Sequence, residues 1–363
     1  MTREELIQVL IPERVRQGAA YQVQDATGMI KLDAMENPFV WPSYLRTQYA
    51  QRLANCSLNR YPDPYAINVR APLRQWMKIP ESLDILFGNG SDEIIALLIS
   101  SLIGSGRSVC APDPSFVMFS ALANQYSVTF EALPLDAAFD IDLDRWLAFL
   151  HENDPALIFV PQPNNPTGNL FSRERLAKIV ESTKALVVID EAYTAFTDAD
   201  FLDWAVAYPN VLVMRTLSKV GLAGSRFGML VGHPAWISEF DKMRLPYNIN
   251  TLSQTAVQFA LEHAPILEEQ SFRVRKERTK LIRELEKRGF KVWPSEANFV
   301  LIKCPIDQAR FIFDALKLRN ILIKCLDGSH PRLKDTLRIT VGSSEEVDTL
   351  LSAIDQLVAE LGL

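Results

Sequence analysis

The chain has 363 residues, a formal net charge of −6, 48% hydrophobic residues and four cysteines. That length suits one large domain and a smaller one, and the lack of any long basic stretch excludes an extended nucleic-acid footprint. Cys56, Cys110, Cys304 and Cys325 lie far apart and the four histidines show no H-x-x-x-H spacing, which excludes a zinc site and a disulfide scaffold and leaves free thiols as the expectation.

Met1 to Arg16 is an amphipathic segment mixing acidic and basic residues, without a secretory apolar core. No apolar run reaches the length of a membrane span, so a soluble cytoplasmic protein is expected. The first strong signal is Leu83 to Leu98, which predicts a strand near 84–87, a turn at Gly88-Asn89-Gly90 and an apolar helix opened by Ser91, Asp92 and Glu93. The first amides of such a helix lack internal partners and suit a phosphate; alternatively Ser91 simply caps the helix. A nicotinamide-type fingerprint is excluded, because Glu93 stands at the third glycine position of G-x-G-x-x-G.

A second strand near 108–112 runs into Pro112-Asp113-Pro114-Ser115-Phe116, where Phe116 is a candidate to cover the face of a planar ring or is ordinary core. A third, near 156–160, leads into Pro161-Gln162-Pro163-Asn164-Asn165-Pro166-Thr167-Gly168, a loop stiffened by prolines in which Asn165-Pro166 is a candidate cis bond and Asn165 is held in a fixed pose. The run Ala185 to Ile189 predicts a strand buried on both faces with Asp190 at its carboxyl end, where open α/β sheets bind ligands. A buried carboxylate is costly unless paired, and a pyridinium N–H would pair it; otherwise Asp190 caps the next helix. Tyr193, three residues on, returns to the same region.

The run Val211 to Met214 precedes Arg215-Thr216-Leu217-Ser218-Lys219-Val220-Gly221-Leu222-Ala223-Gly224-Ser225-Arg226. Lys219 by itself is as readily a solvated loop lysine as a reactive one. With Ser218 beside it and Arg226 one short loop later, the segment offers a carbonyl-binding amine next to a phosphate site, and Asp190, Asn165, Tyr193 and the helix amides at Ser91 to Glu93 offer the remaining parts that pyridoxal phosphate needs. A further strand near 227–231 completes an alternation of strands and helices that predicts a mostly parallel, doubly wound sheet. After Tyr247 the pattern changes. One long helical region is expected to about Arg288, its Arg and Lys interleaved with Glu277, Glu284 and Glu286, then strands around 290–303, 321–324 and 337–341, a helix around 307–318 and a last helix from near Ser344. The expected domains are 30–250, binding the cofactor, and 1–29 with 251–363, a smaller α+β domain closing over the active site.

Read in order, G-N-G-S-D-E (88–93), P-S-F (114–116), P-N-N-P-T-G (163–168), D-E-A-Y (190–193), T-L-S-K (216–219) and L-R-I-T-V-G (337–342) resemble the class I/II aminotransferases of pyridoxal-phosphate fold type I, and among them the histidinol-phosphate aminotransferase family, from about Tyr21 to Gly342. The resemblance implies that Lys219 bonds the cofactor aldehyde, Asp190 faces the ring nitrogen, and Asn165 and Tyr193 contact the phenolic oxygen. It implies that Ser218, Arg226 and the amides of the Gly90-Ser91-Asp92-Glu93 turn hold the phosphate, with Phe116 on the ring. Tyr61, in Asn59-Arg60-Tyr61-Pro62, matches a tyrosine that reaches the cofactor phosphate of a neighbouring subunit, so a homodimer is implied. Arg338 would take the phosphate of histidinol phosphate and the carboxylate of glutamate or 2-oxoglutarate in turn, unless it is a surface strand arginine. Tyr21 and Asn37 match substrate-side positions. Phe116 stands where a tyrosine is expected, and Ser225 where a bulkier apolar residue is common. The implied reaction is transamination. The same parts would also suit an aromatic amino acid transaminase or a phosphothreonine decarboxylase-type lyase, while a cofactor-dependent regulator is disfavoured by the lack of a DNA-binding domain.

Overall fold

The computed structural model describes residues 1–18 and 23–361; the expected substrate-side Tyr21 lies outside them. Its strands are β1 (Ile30–Lys31), β2 (Asp84–Gly88), β3 (Val109–Asp113), β4 (Phe130–Pro134), β5 (Leu157–Pro161), β6 (Leu186–Asp190), β7 (Val211–Thr216), β8 (Gly228–Gly232), β9 (Lys291–Val292), β10 (Phe299–Lys303), β11 (Ile321–Leu322), β12 (Lys324–Cys325) and β13 (Thr336–Thr340). Seven of them form one sheet in the order β2-β8-β7-β6-β5-β3-β4. Its pairs are parallel except those made by β8, which runs against both β7 and β2.

Both faces of this sheet are covered, which is why its strands read as continuous apolar runs. Val187, Ile189 and Val213 point into one buried cluster with Phe87 and Val160. Their neighbours Leu186, Val188, Leu212 and Met214 point into the opposite one, under the helices Ser91–Ser100 and Met118–Gln125. This alternation is the two-residue period of a pleated strand. β4 was not expected from the sequence. Its residues are mostly half-buried or exposed, as an edge strand's are, and Glu131 interrupts any apolar run.

The C-terminal part forms a four-stranded antiparallel sheet, β12-β13-β10-β9. Val300, Ile302, Leu337 and Ile339 pack there with the helices Ala309–Leu318 and Ser344–Leu361. The helical region expected between Tyr247 and Arg288 consists of two helices, Thr251–Glu262 and Ala264–Lys287. Pro265 explains the break, since a proline fits the first turn of a helix but not its interior.

β1 pairs with β11, and Leu32 and Met35 belong to the C-terminal core, whereas Val257 and Ala260 belong to the core of the large sheet. We propose a division close to the expected one, with the stretch through Met35 in the smaller unit and the helix Thr251–Glu262 in the larger. Among the described residues no helix is long and apolar enough to cross a membrane.

Candidate active site

Because β8 runs backwards, its first residue lies at the same edge of the sheet as the last residues of β2, β5, β6 and β7. Gly88, Pro161, Asp190, Thr216 and Gly228 therefore converge on one rim, where ligands bind in open α/β sheets. A cavity of about 220 Å³ opens there, walled by Lys219, Asp190, Tyr193 and Asn165 on the sheet side and by Ser91 and Arg226 at one end.

Burial pushes the Lys219 amine down to about 8 from the ordinary 10.5, and the nearby cations Arg338 and Arg226 push in the same direction. A neutral amine is therefore accessible near physiological pH. Its Nζ lies 5.8 Å from the centre of the Tyr193 ring. Asp190 is 5% exposed and its carboxyl is raised to about 7, chiefly by burial and also by the negative Asp92; the Ala192 amide and Lys219 pull it back. The Ala192 amide donates to Asp190 Oδ1 at 3.0 Å. Burial also pushes the Tyr193 hydroxyl up, and its ring packs edge-on against Phe299 with centroids 5.2 Å apart.

Asn165-Pro166 is cis, as are Gln162-Pro163 and Asp113-Pro114. Asn165 is buried and its Oδ1 accepts from Arg338 Nη1 at 2.5 Å, while Arg338 Nη2 donates to the Asp33 carbonyl at 2.9 Å. Arg338 is thus a buried residue of β13 aimed at the large sheet, not a surface strand arginine.

At the other end, Gly90 is the N-cap of the helix Ser91–Ser100 with φ of 83°, and it makes no side-chain cap bond. Ser91 is therefore the first helical residue, lining the cavity, and not the cap that its position suggested. Glu93 is turned away: its Oε2 accepts from the Asn89 amide at 2.5 Å and from Asn248 Nδ2 at 2.7 Å. Asp92 faces the cavity and pairs with Arg226 Nη2 at 3.5 Å. The Ser218 hydroxyl is held 3.0 Å from the Thr216 hydroxyl, which also accepts from the Ser218 amide at 3.2 Å. Free helix amides, two serines and one arginine make a cradle fit for a phosphate.

Gly228 closes that cradle from below. A Cβ there would stand 2.6 Å from the Gly90 carbonyl carbon and 2.7 Å from the Ser91 nitrogen, backbone atoms that cannot rotate aside. Gly228→Ala is expected to displace the turn, destabilising the protein by about 1–3 kcal/mol, as overpacking does, and weakening pyridoxal phosphate binding about tenfold or more. Urea unfolding and a cofactor titration measure the two effects. Unchanged cofactor affinity would show that the turn tolerates the shift.

Phe116 lines the cavity and packs edge-on against Phe119, centroids 5.5 Å apart. Tyr61 stands away from it, 81% exposed and stacked on Tyr247 at 4.6 Å. Asn37 bonds instead to Gln270, its Nδ2 lying 3.2 Å from Oε1, and to the Phe39 amide at 2.8 Å. Among the cavity residues to which the sequence motifs assigned no role are Thr216, Ala192 and Glu36. Thr216 was visible as a hydroxyl two residues before Ser218 at a strand end. Glu36 stands next to Asn37 in the segment matched to the substrate side, and it is Glu36, not Asn37, that lines the cavity.

A model of the aminotransferase class I and II family matches residues 27–354. Over 355 residues the chain is 46% identical to histidinol-phosphate aminotransferase 2 of Nitrosococcus oceani, with 98% of each chain covered. It is 42% identical over 356 residues to histidinol-phosphate aminotransferase 1 of Ralstonia nicotianae, covering 96% of this chain and 95% of that one. The crystal structure of histidinol-phosphate aminotransferase from Sinorhizobium meliloti in complex with pyridoxal-5′-phosphate has the same fold, with a TM-score of 0.86 at 23% identity over 97% of this chain and 98% of that one.

Proposed function

The chain belongs to the class I and II aminotransferases, and from that membership we propose that it transfers the amino group of L-histidinol phosphate to 2-oxoglutarate. The products are imidazole acetol phosphate and glutamate, a step of histidine biosynthesis, and the cofactor is pyridoxal 5′-phosphate. The reading is supported by relatives of that activity that match nearly the whole chain. The observation that carries it is one cavity holding an amine of depressed pKa, a buried carboxyl and a phosphate cradle, with a buried arginine bonded to its wall.

Ser218, Arg226 and the amides at the start of the helix Ser91–Ser100 would hold the cofactor phosphate. Phe116 would lie against the ring, Asn165 and Tyr193 at its phenolic oxygen, and Asp190 at its nitrogen. When bound, pyridoxal phosphate supplies an electron-withdrawing ring that spreads the charge left at the substrate Cα when its proton departs. Lys219 would hold the cofactor covalently through Nζ until the donor's own amine takes its place, which would leave the Lys219 amine free beside the donor. In its neutral form Nζ takes the Cα proton and can return it elsewhere, a role that the depressed pKa suits. Asp190 in its ionised form keeps a proton on the ring nitrogen. Arg338 binds the donor's phosphate in one half-reaction and the acceptor's carboxylate in the other. Tyr61, exposed on its own subunit, reaches the neighbouring site in a cytoplasmic homodimer.

The test is to add L-histidinol phosphate to the purified holoenzyme without any acceptor and follow the visible absorption of the bound cofactor. Complete conversion, with phenylalanine at least about tenfold slower, is expected. A spectrum that histidinol phosphate leaves unchanged would move the activity to another donor or to decarboxylation. In the same assay Arg338→Ala is expected to weaken histidinol phosphate and glutamate together, each by about 10- to 100-fold in kcat/KM, the range for losing a charge-assisted bidentate contact. Loss with one substrate alone would refute a shared arginine.

A further inference from the structure

Met35 is buried, carries a side chain with a branchless but full-sized Cβ substituent, and yet has φ of 54°. A non-glycine residue in this left-handed region is strained, and it persists only where its surroundings hold it. Here both of its backbone groups are held by buried side chains of the smaller unit: its amide donates to Thr340 Oγ1 at 3.0 Å, and its carbonyl accepts from Asn298 Nδ2 at 2.9 Å. Two residues earlier the Asp33 carbonyl accepts from Arg338 at 2.9 Å. The segment is therefore pinned across the sheet edge. Ala34, Met35 and Glu36 line the cavity from this strained turn, and Glu36 is the charged one of the three.

Glu36 is also held in pose. Lys31 Nζ donates to its Oε2 at 2.5 Å, and the same ammonium lies 3.5 Å from Asp33 Oδ1. Among the described residues no hydrogen bond is made by the second carboxylate oxygen. A carboxylate with one oxygen anchored and the other available is a receptor for an N–H donor. The remaining assignments leave such a donor to be placed. Lys219 stands at the reacting amine and Arg338 at the phosphate end, so the substrate's ring falls to the remaining wall of the cavity.

We propose that Glu36 is a specificity-determining residue that accepts a hydrogen bond from the imidazole N–H of the donor, and so separates imidazole-bearing from benzene-bearing amines. The proposal rests on the histidinol-phosphate reading above and goes beyond it by naming how the ring is told apart. A benzene ring of nearly the same size fills the space and displaces water from the second Glu36 oxygen without offering it a donor, while the bond from Lys31 to the first oxygen remains, and rejection of an analogue lacking the bonding group is the stronger form of discrimination. The acceptor 2-oxoglutarate has no ring and makes no such contact.

The experiment compares two amine-free ligands that cannot react, 3-(imidazol-4-yl)propyl phosphate and 3-phenylpropyl phosphate, by calorimetry on the cofactor-loaded wild type, Glu36→Gln and Glu36→Ala. The wild type is expected to prefer the imidazole ligand. Glu36→Ala should reduce that preference about tenfold and Glu36→Gln by less, since an amide oxygen still accepts but without charge. The ratio of kcat/KM for histidinol phosphate over phenylalanine should fall in parallel. A ligand preference unchanged within twofold in both variants, in an enzyme that does turn over histidinol phosphate, overturns the role of Glu36 alone. A wild type inert toward histidinol phosphate overturns the donor reading and the role of Glu36 with it.

Discussion

Lys219→Ala is expected to lower turnover of histidinol phosphate by more than about 10³-fold while leaving pyridoxal phosphate able to bind. Two losses combine: the covalent tether to the cofactor, and the base that moves the Cα proton, which alone contributes roughly 10²- to 10⁴-fold. Binding survives because the phosphate cradle of Ser218, Arg226 and the helix amides does not involve the amine. Lys219→Arg makes the test sharper. A guanidinium keeps the positive charge but does not deprotonate in proteins, so it cannot replace an amine whose pKa burial has brought to about 8. Both variants should be equally inactive, and single-turnover absorbance after adding histidinol phosphate reads this directly. Turnover within tenfold of the wild type in either one would remove Lys219 from the chemistry.

Lys219, Asp190 and Asn165 were legible in the sequence because each closes or follows a strand buried on both faces. An unbroken apolar run ended by a charged or amide residue marks the ligand-binding rim of such a sheet. What the runs do not carry is direction. β8 reads like its neighbours, yet only Leu217 to Phe227 separate it from β7, too short a link to return to the far end of the sheet. The reversal brings Gly228 under the phosphate turn. Arg338 shows a different limit: its residue type pointed to an anion, but its burial and its bond to Asn165 depend on how β13 faces a sheet formed more than a hundred residues earlier. Glu36 shows a related limit. Its placement follows from a backbone turn at Met35 that only distant partners, Thr340 and Asn298, hold in place.

Asp190→Asn is expected to lower turnover by about 10²-fold or more, because a neutral amide cannot hold a proton on the ring nitrogen, and an electrostatic contact in a dry site is worth that much. The same substitution should have the opposite effect on the cofactor-stripped protein, and pH separates the two. With no cofactor ring cation opposite it, and despite the pull of Lys219, the Asp190 carboxyl is raised from 3.8 to about 7, chiefly by burial. Between those values the folded chain keeps a proton that the unfolded chain has released, so wild-type stability falls as pH rises through that window and levels off above 7. An asparagine does not titrate. The stripped Asp190→Asn protein should therefore gain on the wild type as pH rises from 5 to 8, by an amount on the order of a few kcal/mol at most, readable from urea unfolding midpoints. With pyridoxal phosphate bound, a ring N–H⁺ facing the carboxylate lowers its pKa again, and the wild type should recover the advantage. A stability difference that does not change with pH in the stripped protein would mean that Asp190 is not a desolvated carboxyl. Its assignment to the ring nitrogen would then lose its electrostatic basis.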